Sequence, residues 1–184
     1  GERIDPAALA GQLKTSSIPV RFALYRLVGE GAISDHAREG FHVPFATELM
    51  LRELYDWMDW LTLKACDVGF PAAPKHAEVR AVPQAERDVA TRTHDLFEAI
   101  ALATERPFLH RAIRHANDRL APVRRIEPEL IHDAPAELAA LMRHWQRREL
   151  KPLKTAMNDY HERRRRLVPQ IVAIIDKAAP YGSD

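Results

Sequence analysis

From residue 16 the chain reads Ser16-Ser17-Ile18-Pro19-Val20-Arg21-Phe22-Ala23-Leu24-Tyr25-Arg26-Leu27. Hydroxyl side chains at Thr15, Ser16 and Ser17 offer a helix N-cap, and Pro19 fits a first turn, where a missing N–H costs nothing. Val20, Ala23, Leu24 and Leu27 then recur at helical spacing, and Gly31 supplies a stop. Upstream, Asp5-Pro6 starts a shorter helix through Ala7, Ala8, Leu9, Ala10 and Leu13. Downstream, two short extended pieces, Ala32-Ile33-Ser34 and Phe41-His42-Val43, flank a polar stretch that ends in Gly40. The order helix, turn, helix, hairpin describes a winged helix-turn-helix, whose second helix enters the DNA major groove while the hairpin lies on the backbone or minor groove. The same pattern also suits any small helical subdomain with a hairpin.

Beyond Thr47 the periodicity is helical throughout. Leu49, Leu51, Leu54, Tyr55, Met58, Leu61, Leu63 and Ala65 predict a long helix ending near Gly69. A loop rich in proline and alanine is expected from Phe70 to Pro83, with Pro71, Pro74 and Pro83. Further helices are expected from Gln84 to Thr104, from Pro107 to Leu120, from Asp133 to Glu149 and from Pro152 to Lys177, with Pro169 kinking the last. The fold class is therefore mainly α: a winged helix-turn-helix, incomplete at its start, over 1–45, and an all-α bundle over 46–184.

Composition narrows the function classes. The 184 residues are 46% hydrophobic and 29% charged, with a net charge of +1, an ordinary globular mix. Over residues 1–45 five cations (Arg3, Lys14, Arg21, Arg26, Arg38) meet five anions (Glu2, Asp5, Glu30, Asp35, Glu39), a neutral balance for a domain that would face phosphates. The single cysteine, Cys66, has no internal partner, which fits a reducing, cytoplasmic compartment. No apolar run approaches the roughly 20 residues of a membrane span, and the opening residues are not those of a signal peptide. Seven glycines form no phosphate loop, and Ser16 and Ser17 lack the strand–turn–helix setting of a hydrolase nucleophile. Glu127, Glu129 and Asp133 read as solvent-facing loop carboxylates. The run Arg163-Arg164-Arg165-Arg166 spreads round a helix and reads as a solvated face. Trp57 with Trp60, and Tyr55 with Asp59, suggest exposed interface positions. No enzyme is expected.

The residues Gly1-Glu2-Arg3-Ile4, Leu9-Ala10, Leu13, Ser16, Pro19-Val20-Arg21, Ala23-Leu24, Arg26-Leu27, Glu30-Gly31 and Gly40-Phe41-His42-Val43 resemble, in order and spacing, the winged helix of GntR-family transcription regulators. The resemblance implies DNA contacts by Ser16, Ser17, Arg21, Arg26, Arg38 and Gly40. Ser16 would bind a phosphate oxygen, Arg21 would read guanine, and Arg38 in the wing would meet the minor groove or a phosphate. The family's usual Ser-Arg-Thr-Pro-Val-Arg-Glu-Ala is here Ser-Ser-Ile-Pro-Val-Arg-Phe-Ala. Ser17 thus replaces an arginine, and Ile18 and Phe22 stand at normally polar positions, Phe22 reading best as an extra core or interface contact. The family domain begins one helix earlier.

From Glu48 to Val172 the chain resembles the FCD effector domain that often follows this head, in Arg52-Glu53-Leu54-Tyr55, Ala99–Thr104 with Pro107-Phe108-Leu109, Arg119-Leu120 with Pro122 and Arg124-Arg125, and Ala156-Met157. That resemblance implies a homodimer on a near-palindromic operator and a metal held by one aspartate and three histidines. The four ligand positions fall on Thr93, Phe97, Leu138 and Tyr160, so no metal is expected in that place and no other cofactor, while nine histidines leave another metal site open. His94 and His161 lie one residue away and are expected on an adjacent face. An effector-binding arginine falls on Met58, and one family helix is reduced to Phe70–Pro83. The centre is expected to hold Met58, Thr93, Phe97, Asn117, Leu138 and Tyr160, with Trp57 or Trp60 and Trp145 nearby. Two readings compete: a pocket for a small apolar or aromatic effector, with Thr93, Asn117 and Tyr160 as its polar groups, or a simply filled core. A degenerate regulator that works through protein contacts is the alternative to an operator-binding one.

Overall fold

Asp5 opens the first helix by accepting a hydrogen bond from the Ala7 amide at 2.8 Å. The computed structural model describes residues 2–44, 46–70 and 87–178. Its elements are β1 (Arg3–Ile4), α1 (Pro6–Gln12), α2 (Ser17–Gly29), β2 (Ser34–His36), β3 (Gly40–His42), α3 (Glu48–Val68), α4 (Val89–Ala103), α5 (Pro107–Arg124), a 3-10 turn (Glu127–Glu129), α6 (Ala134–Gln146) and α7 (Leu150–Ala178). The expected loop after Phe70, the reduced family helix placed in it and the helix start at Gln84 fall on residues 71–86, outside the described residues. Two compact units divide the chain: Gly1–Thr47 belongs to one, and Glu48–Ile174 forms the other.

In the first unit α2 ends as the sequence predicts, one turn short of β2. Gly31 has φ +68°, its amide donates to the Val28 carbonyl at 2.9 Å, and the Ala32 amide reaches back to Leu27 at 2.9 Å. This paired closure needs the left-handed backbone that glycine adopts without a Cβ clash. The hairpin of β2 and β3 gains a third strand not expected from the sequence: β1 pairs antiparallel with β3, in the order β1-β3-β2. Two residues are too few to show an alternating pattern, so only the pairing of Arg3 with His42 and Ile4 with Phe41 reveals β1. Ala10, Val20, Leu24, Ile33 and Phe41 form the core, with Ile4, Leu9, Leu27 and Val28 packed on it.

The second unit is a helical bundle in which α4 packs on α5 and α6, and α3 on α4 and α5. Its inward stripes include Leu51, Tyr55, Met58, Thr62 and Ala65 on α3, and Leu153, Met157, Tyr160, Arg164, Val168 and Ile171 on α7. Tyr55 and Asp59 are therefore buried, contrary to the expected exposed pair; only Trp57 and Trp60 face solvent, with their rings stacked 5.3 Å apart. Two prolines fall inside helices, Pro122 in α5 and Pro169 in α7. The expected end of α5 near Leu120 is overrun to Arg124, because burial of Val123 and the Arg124 side chain outweighs the backbone hydrogen bond that Pro122 forgoes.

Candidate nucleic-acid interface and the centre of the helical unit

The buried face of α2 consists of Val20 and Leu24, so periodicity turns Ile18, Arg21, Phe22, Tyr25 and Arg26 to solvent, and all five are exposed. Ser16 is the N-cap, with extended backbone and no side-chain bond to the helix. Its hydroxyl and the first-turn amides are thus free for an anion. Ser17 is half-buried. Arg26 is drawn towards Glu30 at 3.5 Å, whereas Arg21 has no carboxylate within ion-pair reach among the described residues. Arg38 is exposed in the turn between β2 and β3, and Gly40 follows at φ +80° with open space around an added Cβ, so backbone geometry alone requires glycine there. In the wing, His42 Nδ1 donates to the Gly40 carbonyl at 3.0 Å, and the His36 and His42 rings meet edge to face at 5.4 Å.

Phe22 does not pack into the core. It is 72% exposed and Ile18 64%, which rules out the core half of the expected core or interface contact for Phe22. Its place at i+4 from Ile18, on the face away from Val20 and Leu24, turns it to solvent.

In the helical unit, Met58, Thr93, Phe97, Asn117, Leu138 and Tyr160 are all buried. Phe97 and Tyr160 meet edge to face at 5.4 Å. Arg124 ties this pair to Asn117: its guanidinium lies 5.3 Å from the Phe97 ring centre, Nε donates to the Tyr160 hydroxyl at 3.3 Å and Nη1 to Asn117 Oδ1 at 2.7 Å. Asn117 Nδ2 donates in turn to the His94 carbonyl. Thr93 turns its hydroxyl back onto the Val89 carbonyl of its own helix, a bond that satisfies it locally. Trp145 is buried beneath Arg148, 4.3 Å from its ring, while Trp57 and Trp60 are exposed and stand outside this centre. Arg124 is only 2% exposed, has no carboxylate partner among the described residues, and leaves Nη2 without a hydrogen bond.

A second buried network lies beside the first. Arg164 donates to Glu127 Oε2 and Glu137 Oε2, both at 2.8 Å, and to the Tyr160 carbonyl at 2.9 Å. Its guanidinium stacks 3.3 Å over the Tyr160 ring, and the Tyr55 hydroxyl donates to Glu127 Oε1 at 3.0 Å. Burial, followed by the Glu127 charge, pushes the Tyr55 phenol well above its ordinary value. Two expectations fail here. Arg164 is not a solvated residue and Glu127 is not a loop carboxylate facing water; both are buried, because the inward stripe of α7 passes through Arg164 and a guanidinium there demands an anion opposite. Arg163 and Arg166 remain on the outer faces, paired with Asp133 and Glu162. Arg165 reaches Asp59 at 3.1 Å.

His161 is fully buried, with its ring 5.6 Å from Phe97. It belongs to the central cluster, not to the adjacent face expected of it. Nδ1 donates to the Met157 carbonyl at 2.8 Å and stands 3.4 Å from Asp59 Oδ1. Burial pushes the imidazole below its ordinary value against the pull of Asp59. Burial also works to raise the Asp59 carboxyl, but His161 and Arg165 outweigh it and hold the carboxyl low. Below about pH 6.5 the unfolded chain takes up a proton that native His161 refuses, so this group's contribution to stability falls as pH falls. The urea midpoint of the wild type should therefore drop more between about pH 7.5 and 5.5 than that of His161→Gln; equal drops would contradict a neutral native imidazole.

The four positions implied as metal ligands are Thr93, Phe97, Leu138 and Tyr160, whose side chains do not fit a divalent site built from imidazole and carboxylate. Among the described residues no group of three or more His, Cys, Asp or Glu side chains could hold a metal ion. Cys66 is buried, and burial pushes its thiol up to about 11, which makes it a poor nucleophile. Among the described residues no helix is long and apolar enough to cross a membrane.

No family model matches the chain. A segment of 56 residues, 30% of the chain, is 46% identical to the Nta operon transcriptional regulator of Aminobacter aminovorans, and the match spans a quarter of that relative's length. Escherichia coli McbR/YncC superposes over 92% of this chain and 88% of its own, with a TM-score of 0.68 at 20% identity. A GntR-family transcriptional regulator from Pseudomonas syringae covers 96% of this chain and 79% of its own, with a TM-score of 0.48 at 18% identity. The fold, a winged helix-turn-helix followed by a helical domain, is shared with Escherichia coli McbR/YncC.

Proposed function

We propose that the chain is a GntR-family, DNA-binding transcription regulator of the cytoplasm, with a winged-helix head over 1–45 and an FCD-like helical domain over 46–184. The exposed face of α2, with Arg21 free of any carboxylate in the described structure, carries the DNA half of this reading. Ser16, Ser17, Arg21 and Arg26 from α2, with Arg38 and Gly40 from the wing, contact the operator. Ser16 and the helix N-terminus take a phosphate, Arg21 reads a guanine edge, and Arg38 tracks the backbone. Two copies act together on a near-palindromic site, and the exposed, stacked Trp57 and Trp60 supply a surface suited to pairing.

The helical domain biases operator affinity through a small apolar or aromatic effector among Met58, Thr93, Phe97, Asn117, Leu138 and Tyr160. The spare Nη2 of Arg124 supports a ligand with one polar acceptor, since a buried guanidinium gains most from a partner that completes its hydrogen bonds. The test is binding to DNA from upstream of the protein's own gene, titrated over salt. The logarithm of affinity should fall linearly with the logarithm of salt concentration, and Arg21→Ala should weaken binding about tenfold or more, with relaxed preference at one base pair. An affinity that no small molecule alters would remove the sensing half of the proposal.

The exposure of Ile18 and Phe22, together with the neutral head, favours a second reading: a degenerate regulator whose α2 face meets protein. A folded protein that binds no DNA at low salt would select it.

A further inference from the structure

The outward face of α2 is neither a plain cationic stripe nor a plain apolar one. Ile18, Arg21, Phe22, Tyr25 and Arg26 recur at intervals of three, one, three and one, so guanidinium and apolar groups alternate on a single face. Ile18 and Phe22 are more than half exposed, and Tyr25 is partly held by an edge contact to Phe41 at 5.1 Å. A face meant to pair with a second apolar surface would strand Arg21 without a counter-charge. A face meant only for phosphates would carry no Ile18 or Phe22. The major groove satisfies both kinds of group at once: guanine presents paired acceptors, and thymine presents the one apolar substituent on any base edge, its 5-methyl group.

Resting on the DNA-reading role proposed above, we infer that Ile18 and Phe22 are specificity residues that read thymine methyl groups in the operator. One turn of helix separates them, about 6 Å along the axis, which is close to two base steps of about 3.4 Å. Arg21 lies between them on the same face. The preferred half-site therefore carries two thymines about two steps apart, next to the guanine that Arg21 reads. Both residues are exposed, so replacing them leaves the core of Val20, Leu24 and Phe41 intact.

Duplexes selected by the full-length protein from a randomised pool provide the test. Each enriched site is synthesised with thymine and again with uracil, which lacks only the methyl group. Each buried methyl group is worth about fourfold in affinity, so replacing two should weaken binding about fifteenfold. The double variant Ile18→Gln with Phe22→Gln should bind the two duplexes equally, whereas Arg38→Ala should weaken both alike and keep their ratio. Enriched sites that bind equally with thymine and uracil would overturn the inference while leaving operator binding in place. Failure to enrich any sequence, with the protein folded, would instead sink the DNA-reading role itself. A change of oligomeric state in the glutamine variant would assign the face to a second copy of the chain and likewise overturn the inference.

Discussion

Arg164→Ala should destabilise the helical unit by about 3–5 kcal/mol, the cost of stranding a buried charge by removing its partner. The truncation leaves Glu127 and Glu137 without the guanidinium that both accept from at 2.8 Å, and it uncovers the Tyr160 ring. Glu127 is the more costly orphan, since only 4% of it is exposed and Tyr55 is the one further side-chain donor recorded for it among the described residues. Urea unfolding followed by circular dichroism reads the effect as a fall in midpoint at constant slope. The double variant Arg164→Met with Glu127→Leu should recover much of the loss, because a well-packed apolar pair can match a buried ion pair. A loss below about 1 kcal/mol for Arg164→Ala would show that water reaches the site and screens it.

Phe97→Ala is the second large expectation, and it also bears on what the centre is for. Phe97 is wholly buried and touches Tyr160, His161 and Arg124. Its truncation should cost about 3–5 kcal/mol if the neighbours hold their places around the cavity. That outcome describes a filled, rigid core. A cost under about 2 kcal/mol, together with a thermal midpoint that rises when a small aromatic acid is added, would describe a centre that already accommodates a guest. The aromatic acid is the informative probe because Arg124 lies against the Phe97 ring and keeps an unsatisfied donor.

The helices of both units were legible because their apolar residues recur at helical spacing and their ends carry ordinary stop and start residues. Asp5, Pro6, Pro19, Gly31 and Pro107 all stand where local chemistry alone would place them. The buried polar network was not legible. The four consecutive arginines at 163–166 point in four directions, and composition cannot say which one faces inward. The spacing Leu153, Met157, Tyr160, Arg164, Val168, Ile171 does contain that information, since Arg164 falls on the apolar stripe, but a charged residue on such a stripe becomes interpretable only once Glu127 is seen opposite. Arg124 escaped for a similar reason: Pro122 signals the end of a helix, and the chain continues through it. Phe22 and Ile18 were visible as departures from the family pattern. Sequence could not decide between core and surface for Phe22, because that depends on what the rest of the unit leaves uncovered.

The contacts between α3 and α7 set the order in which a nascent chain can mature. Arg52 donates to the Arg165 carbonyl 113 residues away, and Arg165 reaches Asp59 across 106. The first helix of this unit can pack on α4 and α5 as they emerge, but its polar ties to α7 wait until the last helix is made. The Ala10, Val20, Leu24, Ile33 and Phe41 core is drawn from residues made before α3. Synthesis thus passes through a stage in which α3 lies among α4 and α5 without its polar partners on α7, and a premature stop before α7 leaves the chain in that state.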